Sequence, residues 1–210
     1  MDSLSTAPNR YQRRRQETAD RIVEAAARLF GERGVEATKV ADICARADVA
    51  HQTFFNHFKT KQDLVREIAR IGRDFFVAAI ETATGEGRST GERLALLFAS
   101  IHEAAAAAGP MHRDLVFETM REAQAVREDS GERAIHRAIE KLVRKGRAGG
   151  DVTRLHASEE LVTLIFAAFH QLMFEWAHHA DYPMAERATR MARLLADALA
   201  PRPKEPTRRA

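Results

Sequence analysis

Apolar residues recur at three- and four-residue spacing along most of this chain, and no segment alternates as a half-buried strand would. Val40, Ile43, Cys44 and Ala47 make one short helical stripe, with Thr38 placed to cap it through its side-chain oxygen. Phe54 and Phe58 mark the inward face of a second short segment, Ala50 to Phe58. Thr60-Lys61-Gln62-Asp63 reads as a capping box that launches a helix with Leu64, Ile68, Ile71, Phe75 and Ala79 on one stripe. Ser89-Thr90-Gly91-Glu92 is another, followed by Leu94, Leu97, Phe98 and Ile101. Gly109-Pro110 breaks the pattern before a helix through Met111, Leu115 and Met120. Ile135, Ile139, Leu142 and Val143 follow, then two last helices over Ala157–His179 and Met184–Leu199. The expected fold is all-α.

The segment Thr38 to Lys61 carries the most information. Two short helices are joined by Ala47-Asp48-Val49, where Asp tolerates left-handed backbone better than most residues. On the second helix His51, Gln52, Phe55 and Asn56 fall opposite Phe54 and Phe58. An exposed face of donors and aromatics after a tight turn suits a recognition helix in a DNA major groove, so these four residues are expected at base edges. Lys39 and Lys61 begin helices, where backbone N–H groups and the helix dipole already favour a phosphate.

These residues resemble the DNA-binding domain of the TetR family of bacterial transcriptional regulators. The resemblance runs from Ile22-Val23-Glu24-Ala25-Ala26 through Leu29-Phe30-Gly31-Glu32-Arg33-Gly34, Thr38, Asp42-Ile43, Val49 and Thr53-Phe54-Phe55-Asn56-His57-Phe58 to Lys61 and Leu64. It covers roughly the first third of the chain. It implies an N-terminal three-helix helix-turn-helix DNA-binding domain and a C-terminal helical ligand-binding and dimerisation domain. It also implies that Thr38, Thr53 and His57 bind backbone phosphate. The chain departs from the family pattern at four positions: Asp48 for glycine, Ala50 for serine, Gln52 for glycine and Phe55 for tyrosine. The first two touch geometry. The other two touch specificity, since Gln52 suits adenine edges and the Phe55 ring can meet a thymine methyl.

Length, charge and cysteine usage refine this picture. At 210 residues and 45% hydrophobic content the chain can bury a substantial core. No apolar run of about 18 residues suggests a membrane span, and the N-terminus lacks a secretory pattern. The single cysteine, Cys44, reads as a small buried hydrophobe, and the expected location is a reducing cytoplasm. The net charge of +3 is concentrated at the ends, with Arg10, Arg13, Arg14 and Arg15 before the first helix and Arg202, Lys204, Arg208 and Arg209 after the last. The expected organisation is a flexible basic arm over 1–16, the helix-turn-helix over 17–60, the effector and dimerisation domain over 61–200, and a disordered basic tail over 201–210. Arg13, Arg14 and Arg15 are expected to reach phosphates or a minor groove.

The helix over Ala157–His179 is apolar on two faces. One stripe is Leu161, Ile165, Ala168, Leu172 and Trp176; the other is Phe166, His170, Met173 and Ala177. Together with Met191 and Leu195 of the last helix, the first stripe is expected to form a four-helix homodimer interface, the alternative being a helix hairpin buried in a monomer. Phe98, His102, Phe117, Met120, Phe166, Phe169, His170, Met173 and Phe174 are the expected lining of a largely apolar effector pocket. His102 and His170 read equally as core histidines or as polar anchors for a ligand. His170, Glu175, His178 and His179 are too loosely spaced to make a metal site, and neither a phosphate loop nor a nucleophile elbow is present. No cofactor, metal or catalysis is expected. The reading is a homodimeric, ligand-responsive regulator, most often a repressor in such families, with double-stranded operator DNA and a small-molecule effector as partners and no membrane. A helical small-molecule-binding protein without specific DNA binding remains open.

Overall fold

The structure, a computed structural model, describes residues 9–86, 89–108, 113 and 130–202. These form eight helices and no strand: α1 (Arg10–Arg33), α2 (Val40–Ala47), α3 (His51–His57), α4 (Lys61–Glu86), α5 (Thr90–Ala108), α6 (Ser130–Gly149), α7 (Ser158–His178) and α8 (Met184–Leu199). The expected helix through Met111, Leu115 and Met120 lies outside the described residues, as does the tail beyond Arg202. Described residues up to Ala69, with Arg113, make one compact unit and the others a second, so the division falls inside α4 rather than at its start. No helix among the described residues is long and apolar enough to cross a membrane.

In the first unit α1 begins earlier than its charge suggests. The Asn9 side chain accepts from the Tyr11 amide, and Gln12 Oε1 accepts from the Asn9 amide at 2.9 Å. This reciprocal cap supplies two of the orphan bonds at a helix start. The arm expected to be flexible over 1–16 is therefore helical from Arg10. Ile22, Ala26 and Phe30 from α1 pack with Ile43 and Cys44 from α2, Phe54 from α3 and Leu64 from α4 in one core. Burial raises the pKa of the Cys44 thiol, its own backbone contact opposing weakly. Gly34 ends α1 at φ +82, a left-handed setting that costs glycine little.

Thr38 does not cap α2. Lys39 holds the N-cap position, its amide donating to Asp42 Oδ2 at 3.3 Å. Thr38 is instead 1% exposed, its hydroxyl donating to Gly34 O at 2.8 Å with Leu29 O at 3.3 Å. Arg33–Asp42 (2.7 Å) and Arg46–Glu32 (2.8 Å) pairs tie α1 to α2. Both are open to water, so each fixes orientation and contributes at most about 1 kcal/mol. At the α2–α3 turn Asp48 takes φ 51, the left-handed setting expected of it.

In the second unit α5 packs chiefly against α8, and α6 against α7. The serine box at the start of α5 forms as expected, the Ser89 amide donating to Glu92 at 2.7 Å. Asp151, just past α6, completes this cap by accepting from the Thr90 amide at 2.5 Å and its hydroxyl at 3.0 Å. Gly146 lies against that junction, and a Cβ there would land on Thr90 Oγ1 and Val152 Cγ2. Gly146→Ala is therefore expected to destabilise by about 1–3 kcal/mol despite alanine's better helix propensity, read as a lower urea midpoint at unchanged slope.

The stripe expected on α4 is displaced by one position past its first turns. Leu64 is buried, but Ile71 and Phe75 are exposed, and the other buried apolar residues are Val65, Ala69, Phe76, Ile80 and Ala83. A helix shared by two units buries what each unit's own core requires, and one apolar repeat cannot reveal that change.

Candidate nucleic-acid interface

The geometry of α3 follows from two aromatic anchors. Phe54 is fully buried and Phe58 is nearly so, with ring centroids 6.0 Å apart, and both hold α3 against the core of its unit. Ala50 starts the helix in extended backbone without a side-chain cap, as the missing serine hydroxyl implies. Asp48 and Val49 donate back to Ala45 O and Cys44 O, which closes the turn. The face opposite the anchors presents His51, Gln52, Phe55 and Asn56, all exposed. Gln52 Nε2 donates to Asn56 Oδ1 at 3.2 Å, so the two amides hold one another in place before any ligand arrives. The Phe55 ring stands edge-on to Phe54 at 5.3 Å, and the His51 ring lies 6.2 Å from it. These four residues thus share one donor- and π-rich surface.

The residues expected at phosphates divide into two groups. Lys39 is exposed at the start of α2, and Thr53 and His57 sit half-buried along the edge of α3. Thr38 and Lys61 point inward. Lys61 Nζ donates to Val35 O (2.7 Å), Thr38 O (3.2 Å) and Glu36 O (3.3 Å), so all three of its N–H bonds serve the α1–α2 corner. The Thr38 hydroxyl is likewise spent on carbonyls. Both side chains brace the corner that carries α2 and α3, where the sequence placed them on phosphate.

The first turns of α1 contribute more than the sequence indicated. Tyr11, Arg14, Arg15 and Thr18 line a cleft of about 610 Å³ facing Thr53, Asn56 and His57 of α3. Arg13 is exposed but lies off that wall. Tyr11 and Thr18 were missed, although their signal was present: 11, 14, 15 and 18 is a helical i, i+3, i+4, i+7 face. In this cleft the His57 imidazole has a pKa below its ordinary value, chiefly through burial and then through the nearby Arg15 charge.

The C-terminal candidates also separate. Phe166, Phe169 and His170 do come together: His170 lies 4.4 Å from Phe166 and 5.8 Å from Phe169, and His136 lies 4.6 Å from Phe166. Phe169 stacks on Phe76 at 3.7 Å. Met173 is half-buried, Phe98 is 1% exposed in the core, and Phe117 and Met120 lie outside the described residues. His102 faces a different place, an alanine-walled groove between α5 and α8. Phe174 is exposed, its ring 4.0 Å from His178. Among the described residues no three His, Cys, Asp or Glu side chains converge as a metal site would require.

The stripe expected to form the dimer interface is core of a single chain. Leu161, Ile165, Ala168, Leu172 and Trp176 are all buried without a partner subunit, as is Leu195, and Met191 is half-buried. The large apolar side chains left outside on these helices are Leu164 (42% exposed), Phe174 (45%) and Leu194 (62%). Both faces of α7 are apolar, and the core of its own unit takes the Leu161–Trp176 stripe.

Comparison with known proteins agrees with the N-terminal geometry. Residues 22–68 match the profile of bacterial regulatory proteins, tetR family. The transcriptional repressor KstR2 of Mycolicibacterium smegmatis is 32% identical over 85 residues, 40% of this chain and 42% of that protein. The repressor Rv3405c of Mycobacterium tuberculosis is 51% identical over 51 residues, 24% of this chain and 27% of that one. The chain thus spans less than half the length of these curated relatives. The fold extends further: the transcriptional regulator FadR of Bacillus subtilis, solved with stearoyl-CoA, superposes with a TM-score of 0.69 at 16% identity, over 86% of this chain and 98% of that one. Residues 22–68, the helix-turn-helix region, thus match the TetR family of bacterial regulatory proteins, and the relatives that share this region are transcriptional regulators.

Proposed function

We propose that this protein is a ligand-responsive transcriptional regulator that binds a palindromic operator as a homodimer and is released by a small, largely apolar effector. The observation that carries the reading is the exposed face of α3, where Gln52 and Asn56 are bonded to each other and flanked by His51 and Phe55. A glutamine or asparagine amide can donate to and accept from an adenine edge together. Dimerisation supplies the second half-site that one short helix needs. The dimer face we assign is the outer one of α7 and α8, with Leu164, Phe174 and Leu194 replacing the buried stripe. The Phe76, Phe166, Phe169 and His170 cluster supports an apolar effector with one polar anchor, and the long acyl chain bound by the FadR relative is chemistry of that kind. By linkage, effector and operator must weaken each other by one common factor.

The test is a binding-site selection with the full-length chain. Wild type should keep its preference over random duplex as salt rises. Gln52→Ala should change the preferred base at one position per half-site, costing about 1–3 kcal/mol there and nothing at the others. Uniform weakening with an unchanged preference removes Gln52 from base reading. No preference in the wild type favours the small-molecule-binding alternative.

A further inference from the structure

We propose that the groove between α5 and α8 binds a linear aliphatic anion with a second oxygen group at its far end, such as a long-chain dicarboxylate. The groove shares no lining residue with the aromatic cluster around Phe166, so this site is additional to the effector site proposed above.

The walls are fixed by the packing of the two helices. A Cβ on Gly91 would stand 3.4 Å from Ala196 Cβ, and α8 ends at Leu199, so only antiparallel helices can line this groove along its length. Gly91, Ala95 and Ala99 of α5 face Ala188, Ala192 and Ala196 of α8 across a space of about 430 Å³, within the range of small-molecule sites. From Gly91 to His102 the lining runs about 16 Å at the α-helical rise. Alanine has no rotamers with which to close such a trough, so its shape is already present before a ligand arrives. A polymethylene chain can lie along the methyl floor and leave water there.

The polar lining consists of His102, Thr189 and Arg193, with no carboxylate among them. Thr189 is spent, its hydroxyl donating to Ala185 O at 2.9 Å. Arg190 is held by Glu186 at 2.8 Å, but among the described residues no carboxylate pairs with Arg193. An unpaired guanidinium on the rim of an apolar groove complements a carboxylate, which it takes up through paired N–H donors.

His102 sets the opposite end, beside Ala185 and about 12 Å along the helices from Arg193. Its Nδ1 is closed off from water and has no hydrogen-bond partner. An orphaned buried N–H is rarer than an under-satisfied acceptor, so the proton is assigned to Nε2, the ring nitrogen left at the groove. Nε2–H is then a second donor without an acceptor among the described residues. Two unpaired donors at the ends of a methyl-lined trough complement a chain that is polar at both ends and aliphatic between. The methyl end of a monocarboxylate would cover Nε2 and leave it unbonded, which costs affinity.

The experiment is isothermal titration calorimetry of the full-length protein with decanedioate, decanoate and decanediol. Decanedioate should bind at least about tenfold more tightly than either of the others, each of which lacks one or both charged ends. Ala99→Leu places a good helix former at an exposed position and fills the trough, so it should abolish decanedioate binding and leave the melting temperature unchanged. Arg193→Gln should weaken decanedioate about tenfold, and His102→Ala should remove its advantage over decanoate. The nitrogen resonance of His102 Nε2 should shift as decanedioate is added to wild type, which tests the site without any substitution. The proposal is overturned if wild type does not bind decanedioate, if the three probes bind equally, or if Ala99→Leu binds as wild type does. Binding lost in Phe166→Ala but kept in Ala99→Leu would put the chain in the aromatic cluster and overturn it as well. None of these readouts involves DNA, so the site and the regulator reading stand or fall separately.

Discussion

Leu172→Glu is expected to leave no folded C-terminal unit, whereas Leu194→Glu should give a well-folded monomer with little operator affinity. The two leucines sit on neighbouring helices and look equivalent as apolar periodic positions. Leu172 is fully buried within one chain and Leu194 is 62% exposed. A carboxylate at position 172 has no partner in the core and costs several kcal/mol, a large share of the stability of a domain this size. At position 194 it costs the isolated subunit almost nothing. Across a two-fold axis, however, it would bring two like charges into an apolar seam. Circular dichroism melts separate the variants by fold, and light scattering separates them by mass, with 23.5 kDa expected for the monomer. A dimeric Leu194→Glu protein would mean that α7 and α8 do not present that face to a partner. A Leu172→Glu protein that melts like wild type would contradict the burial itself.

The second large effect is expected at Lys61. A lysine that only touched phosphate would, on replacement by alanine, leave stability unchanged and flatten the salt slope. Here the ammonium serves three carbonyls at the α1–α2 corner. Charge-assisted bonds to partly buried carbonyls contribute about 2–4 kcal/mol together, and losing them strands the acceptors. Lys61→Ala should therefore lower the unfolding midpoint of the N-terminal unit and weaken all DNA sequences alike, with the salt slope per bound dimer little changed. Hydrogen exchange of the α1 and α2 amides should rise first, because that corner opens locally before the core does. A variant with wild-type stability and a shallower salt slope would return Lys61 to the phosphate.

Much of this was legible in the sequence because local chemistry decides it. The Thr60–Asp63 and Ser89–Glu92 boxes form as written, with Thr60 and Asp63 bonded reciprocally at 3.0 and 3.1 Å. Asp48 takes its left-handed turn and Phe54 and Phe58 anchor α3. What was not legible depended on distant partners. A threonine before a helix is ordinarily a cap, and only the approach of Gly34 and Leu29 carbonyls turns the Thr38 hydroxyl inward. An arginine run reads as a flexible arm until Asn9 and Gln12 are seen to close on each other. On α7 both stripes are apolar, so hydropathy cannot say which belongs to the subunit and which to a partner. On α4 the change of buried face at the unit boundary defeats a single repeat.

The burial of Cys44 has a practical consequence for watching this protein work. It is the only thiol in the sequence, it is 3% exposed, and its surroundings hold it in the unreactive protonated form. The native chain is thus a nearly silent background for thiol-directed labelling. A cysteine introduced at an exposed position such as Ala45 would take a maleimide dye or a spin label alone, without first removing the native one. On the proposed dimeric, effector-responsive reading, one such label per subunit would turn the separation of two α2–α3 pairs on DNA into a distance that can be read directly in solution.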